Sequence, residues 1–502
     1  MTPQQLRNSI LQMAIEGKLT EQRAEDGNAS ELLKEIKAEK AKLIAEKKIK
    51  KEKSLPEISE DEIPFEIPDN WVWCKLGAIG YLERGSGIKR ADVVEKGLPC
   101  IRYGELYTTY KGSFSKVMSF TSQEIFDKSH KGHSNDIFMA LTGENKIDIA
   151  TAVEYVGKME IAYGGDMTKL CCIKAYSRYI MYLLNSPYVI DIKKKTATGD
   201  IIVHISNDKI ANFVIPLPPL AEQKRIVARL EEILPQVDEY EKAYNELQEL
   251  NKKFPDNLKN SLLQMAIEGK LVEQRAEDGN ARDLLKEIQA EKAKMIAEKK
   301  IKKEKPLPEI NEDETPFEIP DNWVWCRLDD IVSKEIRRGK SPKYDEAGSA
   351  FAFAQKCNSK YDGIRLDLAR KISDESLKRY GDDELLQDKD IIINSTGNGT
   401  LGRIGMYKEI YNTNNDKYFA DSHVTVVRIQ KNILSEYIHI ALLSYHKYLT
   451  SLGEGSTNQT ELKPLIIKSL LIPIPPLAEQ KRIVAKLEQI LPLCDELSKE
   501  YK

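Results

Sequence analysis

Leu6, Ile10, Met13 and Gly17 recur at spacings of three and four, which predicts a short amphipathic helix over 3–19 with these four positions facing the core. After the turn chemistry of Asp26-Gly27-Asn28, residues 30–53 are charged nearly all round. They predict a second helix with only Leu32, Leu33, Ile36, Leu43 and Ile44 to bury. Its end is rich in lysine (Lys47, Lys48, Lys50, Lys51, Lys53), which suits either a phosphate-contacting tail or, more ordinarily, a solvated helix. Pro56, Pro64 and Pro68 then force extended chain up to Trp71-Val72-Trp73, a first buried strand. Farther on, Ile137–Leu141, Ala150–Tyr155 and Leu170–Ile173 pattern as strands, and 179–193 as a helix. In the middle of the chain Ile226, Leu230, Ile233, Val237, Tyr240, Tyr244 and Leu247 alternate spacings of four and three, a heptad seam. Pro235 lies off the seam and should kink this rod, and Pro255 should restart the chain before Leu258, Leu262 and Met265 continue an apolar face. From 221 to 251 such a helix spans roughly 45 Å.

Much of this pattern occurs twice. Ser9–Leu76 returns as Ser261–Leu328, with 58 of 68 positions identical at an offset of 252. Pro216–Glu239 returns as Pro473–Glu496 at an offset of 257. Between the repeated blocks lie two unlike inserts, 77–215 and 329–472. Near-identical frames around divergent inserts point to one scaffold that presents two different surfaces, and to a locus able to exchange inserts by recombination. An amphipathic rod must bury its seam, and the partner copy of the repeat is the obvious surface. The expected architecture is α+β: two globular mixed α/β domains separated by two long antiparallel helical segments, with pseudo-twofold symmetry. The expected divisions are a helical segment at 1–60, globular domains at 61–220 and 313–477, a central helical region at 221–312, and a helix at 478–502 that pairs with the central one.

Composition narrows the function classes. At 502 residues the chain can bury sizeable cores, and its net charge of −3 announces no global attraction to nucleic acid. The first insert has 18 Lys/Arg against 15 Asp/Glu, and the second 21 against 20. No run reaches the ~18 apolar residues of a membrane helix, and the first residues lack a signal peptide's apolar core, so a cytoplasmic protein is expected. Seven scattered cysteines without a Cys-x-x-Cys pair suit reduced, structural thiols. His130-Lys-Gly-His133 has no acid or cysteine at ligand spacing, so no metal site is expected. There is no G-x-x-x-x-G-K-[ST] loop for ATP, and no cofactor is expected.

The string PLPPLAEQKRIV at 216–227, returning with Ile474 at 473–484, and FEIPDNWVW at the start of each globular domain resemble the specificity subunit of type I restriction–modification systems. The resemblance covers the whole chain. It implies that each globular part is a target recognition domain reading one half of a bipartite site in double-stranded DNA. It also implies that the helices fix the unread spacer and dock two methyltransferase subunits, with restriction subunits joining through the complex. Adenine methylation and ATP-driven cleavage would belong to those partners, leaving this chain non-catalytic. The rival readings are a DNA methyltransferase or nuclease acting alone, and a coiled-coil scaffold without DNA binding.

Each insert holds a strand that runs into a glycine loop. In the second, Asp390–Asn394 leads to Ser395, Thr396, Gly397, Asn398, Gly399 and, past Gly402, Arg403. Gly397–Gly402 matches G-x-G-x-x-G, but Arg403–Tyr407 patterns as another strand where a dinucleotide site needs a helix. A plain hairpin turn and a DNA-facing loop remain as readings. The first insert's counterpart carries Thr142, Asn145 and Lys146, all side chains suited to phosphates and base edges. Two cationic glycine loops follow the insert starts, with Arg84, Lys89 and Arg90 in the first and Arg337, Arg338, Lys340 and Lys343 in the second. Before the closing block of the second insert stand Ser456, Thr457, Asn458 and Gln459, where an amide could pair bidentately with adenine. Lys194 and Thr198 occupy the corresponding stretch of the first. These are the candidate DNA contacts, weighed against ordinary loop polarity. Asn185-Ser186-Pro187-Tyr188 has serine where the adenine-methyltransferase tetrapeptide has proline, and suits a helix-ending turn.

Overall fold

The computed structural model describes residues 1–86, 88–303, 305–359, 363–397, 399–452 and 461–501. The chain divides into two compact units, Met1–Leu247 and Gln248–Lys502.

The first unit opens with a helix over Pro3–Ile15. Thr2 caps it by accepting from the Gln5 amide, and the Gln5 side chain reaches back to the Thr2 amide. Its buried face is rotated from the expected one: Ile10, Leu11, Ala14 and Ile15 point inward, while Met13 is exposed. The buried positions lie to one side of the expected stripe, where the helix packs into the core it shares with the insert. Asn28 caps a second helix, Ala29–Ala45, which stops well short of residue 53. Lys47 turns left-handed at φ 57°, and the lysine-rich stretch after it is not helical. Lys40 on this helix donates to the carbonyls of Gly77 and Gly80 and pairs with Glu52, fastening the helix to the start of the insert.

The insert is closed at its base by a two-stranded clip. Val72–Lys75 pairs antiparallel with Val214–Leu217, Val72 opposite Leu217 and Lys75 opposite Val214. Between these strands lie two five-stranded sheets. One runs in the order Gly80–Arg84, Met167–Cys172, Ile137–Ala140, Ala152–Tyr155, Ser113–Phe114. The other runs Val93–Val94, Ser119–Thr121, Leu98–Ile101, Ile161–Tyr163, Lys131–Gly132. Ile137–Ala140 is buried on both faces. Ile137 and Met139 join the core shared with the frame helices, while Phe138 and Ala140 pack with Tyr155, Ile161 and Tyr163. A strand covered on both sides reads as an unbroken apolar run, which is why it was visible in sequence. The single helix expected over 179–193 is two, Ser177–Leu184 and Pro187–Thr196. Ser186 caps the second of these, and the Asn185 side chain makes both hydrogen bonds to the Ala152 backbone, at 3.0 and 2.8 Å.

The second unit repeats this plan with different residues. Val324–Arg327 clips Leu471–Ile474. One sheet has the order Arg337–Arg338, Val424–Val427, Ile391–Asn394, Ile404–Met406, and the other the order Arg370–Ile372, Ala350–Phe353, Tyr418–Ala420. The four-stranded sheet keeps the order of the first unit's without the strand at one edge, and the three-stranded sheet keeps the central three of the other.

A helix assigned over Leu220–Ile267 gives its first part to one unit and its remainder to the other. It includes Pro255, so the chain does not restart there. Ile226, Leu230 and Val237 are buried, but Tyr240 and Leu247 are exposed, so the heptad seam is covered only in its first half. Within the first unit the frame runs antiparallel to this helix. Arg7 pairs with Asp238, and Arg225 grips both carboxylate oxygens of Asp26. Glu222 is fully buried and accepts from Gln22 at 2.5 Å and from the Trp71 indole at 2.8 Å. The second unit holds the same lock between its frame and the closing helix Leu477–Glu500: Lys259 with Asp495, Arg482 on Asp278, and Glu479 accepting from Gln274 and Trp323. Burial pushes the Glu222 and Glu479 carboxyls up, whereas Arg225 and Arg482 hold Asp26 and Asp278 down. The sequence blocks repeat because the same polar lock is built twice. Among the described residues no helix is long and apolar enough to cross a membrane.

Candidate nucleic-acid interface

In the first unit the central strand Ile137–Ala140 runs into Thr142–Gly143, which pairs antiparallel with Val203–His204. The Thr142 hydroxyl lies 3.2 Å from His204 Nδ1. A cleft of about 430 Å³ beside this pair is lined by Arg84, Thr142, Thr198, His204 and Lys209. Three candidates widely separated in sequence therefore meet in one place. Arg84 is oriented by donating from Nε to the Gly165 carbonyl at 2.7 Å. Asn145 is largely occupied in its own turn. Its side-chain oxygen accepts from the Ile147 and Asp148 amides, and its NH2 donates to Asp148. Lys146 reaches Asp200 at 3.5 Å, and Lys194 is exposed on its helix.

Lys89 and Arg90 line a different cleft, of about 610 Å³, together with Arg102, Tyr103, Thr108 and Thr109. Arg102 is braced by Glu105 at 3.0 Å. Gly164, Asp166 and Met167 edge this cleft, and Gly165 between them accepts the Arg84 bond. Sequence reasoning missed Arg102, Tyr103, Thr108, Thr109, His204 and Lys209. None sits in a glycine-rich or lysine-rich run, so composition gave no signal for them.

In the second unit the cations are paired internally. Arg337 lies 3.0 Å and Lys340 2.5 Å from Glu384, and Arg338 lies 2.7 Å from Glu461. Burial pushes the Glu384 carboxyl up, but Lys340, the Gly381 amide and Arg337 outweigh it and leave the group below its ordinary range. Lys343 is exposed. Burial also drives the nearby Lys334 ammonium down to about 8. Ser395 is fully buried and bonds the Thr425 hydroxyl at 2.6 Å, so it stands behind the surface. Thr396 meets His423 Nδ1 at 2.5 Å. Arg403 donates to the carbonyls of Asn358 at 2.8 Å and Gly399 at 3.2 Å, pinning the glycine turn from within.

That turn is a hairpin. Ile404–Met406 returns antiparallel to Ile391–Ile393, and no helix follows Gly402. The dinucleotide reading fails on this point, because such a motif presents phosphate to a helix N-terminus. Asn398 and Ser456, Thr457, Asn458 and Gln459 lie outside the described residues.

Both units thus place hydroxyls, histidine and cations at the end of the same central strand. The sequence signature of the type I restriction modification DNA specificity domain matches residues 68–251 and again 320–502. The chain belongs to that family. Its two specificity domains begin within the repeated segment before each clip and run into the helix that follows it. The EcoEI specificity subunit of Escherichia coli is 28% identical over 551 residues, covering 98% of this chain and 89% of that protein. The EcoAI specificity subunit of the same species is 28% identical over 544 residues with the same coverage. Among solved structures, the HsdS subunit of Thermoanaerobacter tengcongensis aligns with a TM-score of 0.49 and 16% identity, over 87% of this chain and 93% of that one.

Proposed function

We propose that this chain is the DNA-reading subunit of a type I restriction–modification complex, and that each specificity domain reads one part of a split, asymmetric site. The observation that carries this is the double family match, on two domains with common central sheet order and different loop chemistry. A shared sheet supplies the same approach to a duplex. Unlike loops supply unlike contacts, Arg84, Thr142 and His204 in one and Thr396, His423 and the Arg337–Lys340 loop in the other, so the two parts of the site should differ. Phosphates are met by cations at the surface, among them Lys89, Arg90 and Arg102, which line one cleft.

Methylation and cleavage are assigned to partner subunits, with the helices as their docking surface and as the spacer between the parts of the site. The exposed Tyr240 and Leu247 on the first unit's part of the long helix support a protein partner there. Co-expression with the cognate methyltransferase subunit and mapping of modified adenines across a genome tests the reading. Two unlike short elements at a fixed gap are expected. Modification at a single contiguous palindrome, or turnover by this chain without a partner, would refute it.

A further inference from the structure

Beside the Arg84–Thr142–His204 cleft the first unit displays an apolar tip that its fold does not use. Thr198 and His204 exchange both backbone hydrogen bonds, at 2.9 and 2.8 Å, and close a tight hairpin. Gly199 stands at φ +97°, and a Cβ there would lie 2.1 Å from the Ile202 carbonyl, so the turn admits only glycine. Val203 and Ile205 point inward and are buried, but Ile201 is 88% exposed and Ile202 57%. The adjoining turn is tied to this one by Lys146–Asp200, and it adds Ile147 at 59% exposure. Scattered exposed aliphatics are ordinary. Ile201 and Ile202 are instead consecutive on the hairpin that supplies Thr198 and His204 to the cleft, and Ile147 follows the Lys146 that reaches Asp200 on that hairpin.

We infer that Ile201 and Ile202, with Ile147 beside them, form a specificity contact that takes the C5-methyl groups of thymine in the major groove. The inference rests on the DNA-reading function proposed above. Phosphates and sugars give an aliphatic side chain nothing to recognise, whereas the thymine methyl is the apolar feature of a major-groove base edge. A β-branched side chain is stiff at χ1, so holding it on a rigid hairpin costs little further freedom on binding. The surrounding cations and hydroxyls, Arg84, Lys146, Thr142 and Lys209, suit the phosphates and polar edges on either side. Asp200 opposes that field, and its pairing with Lys146 offsets it.

The test uses the chain assembled with its methyltransferase subunits and a duplex carrying the mapped site. Each thymine of the part read by the first domain is replaced in turn by deoxyuridine, which removes only the methyl. Wild type should lose roughly fourfold in affinity at one or two positions, the value of one buried methyl-sized group. Ile201→Ala/Ile202→Ala should bind the thymine duplex more weakly by a similar factor per contact and show no further loss with deoxyuridine. Wild-type indifference to deoxyuridine throughout that part overturns the inference without touching the reading function. So does a double variant that weakens all duplexes alike while keeping its deoxyuridine sensitivity. A double variant that loses its methyltransferase subunit while discriminating normally would make the patch a protein contact. Absence of any sequence preference in the wild-type complex would remove the reading function itself.

Discussion

Glu222 does more than contribute a charge. Its two oxygens hold Gln22 of the frame and Trp71 at the start of the clip, so one buried side chain fixes two segments against the long helix. Glu222→Ala leaves the buried Trp71 indole N–H without its acceptor, while Gln22 keeps only its bond to the Gly17 carbonyl. The first unit should lose about 2–3 kcal/mol, read by urea unfolding. Lys193 gives a prediction in pH. It is buried, its amine donates to the carbonyls of Ala150 and Leu184, and burial pulls its ammonium down to about 7. A neutral amine has two N–H donors, which suffice for two carbonyls, and burial keeps water from the third proton of the charged form. An unfolded chain keeps that proton to about pH 10.4. Between these values the unfolded state binds more protons, so stability should rise as pH climbs from about 7 toward 10, the penalty being full below 7. Denaturation midpoints at pH 7 and 9.5 should show that rise in wild type and a smaller one in Lys193→Met.

At the scale of elements, legibility followed periodicity and failed where a single side chain decided. Ile391 and Ile393 face the frame core, and Ser395 continues their parity. A period of two therefore already placed Ser395 inside, although residue type alone made it a DNA candidate. The break at Asn185-Ser186 was readable as a turn, but not that Asn185 would be bound to Ala152, because that partner comes from a strand 33 residues away. The rotated face of Pro3–Ile15 was hidden for the same reason: its burial is set by elements remote in sequence. The frame makes a close approach at Gly17, φ +71°, where a Cβ would lie 2.5 Å from the Pro68 ring. Gly269 repeats this against Pro320 at 2.4 Å. Gly17→Ala should cost at least about 1 kcal/mol, since both the conformation and the space are wrong for a side chain. Gly269→Ala should act alike on the second unit, and thermal melts of both variants check the equivalence.

For the whole molecule, the duplication was plain in the sequence, while the lock it encodes was not. Trp71, Glu222 and Arg225 recur with their partners, yet nothing in a linear pattern joins residue 26 to residue 225. The candidate site was legible as loop chemistry and illegible as a surface, because the Lys89–Arg90–Arg102 group assembles from separate segments. Its role is tested by salt. With a net charge of −3 the chain by itself should hold DNA weakly. In the assembled complex, Arg90→Ala and Arg102→Ala should each flatten the dependence of log affinity on log salt by about one and weaken all sequences alike. An unchanged slope would place these cations away from the duplex.

The clips carry a consequence for how such a protein changes. Each sheet domain leaves its frame on one strand and returns on the neighbour, so the frame asks that two ends arrive about 4.8 Å apart in a four-pair register and that the domain bring the apolar face on which the frame helices pack. What lies beyond that gate and that face can be lengthened, trimmed or exchanged while the helices keep their packing, as the different strand numbers of the two units show. New targets can then be acquired by grafting at a narrow neck, without any redesign of the trunk.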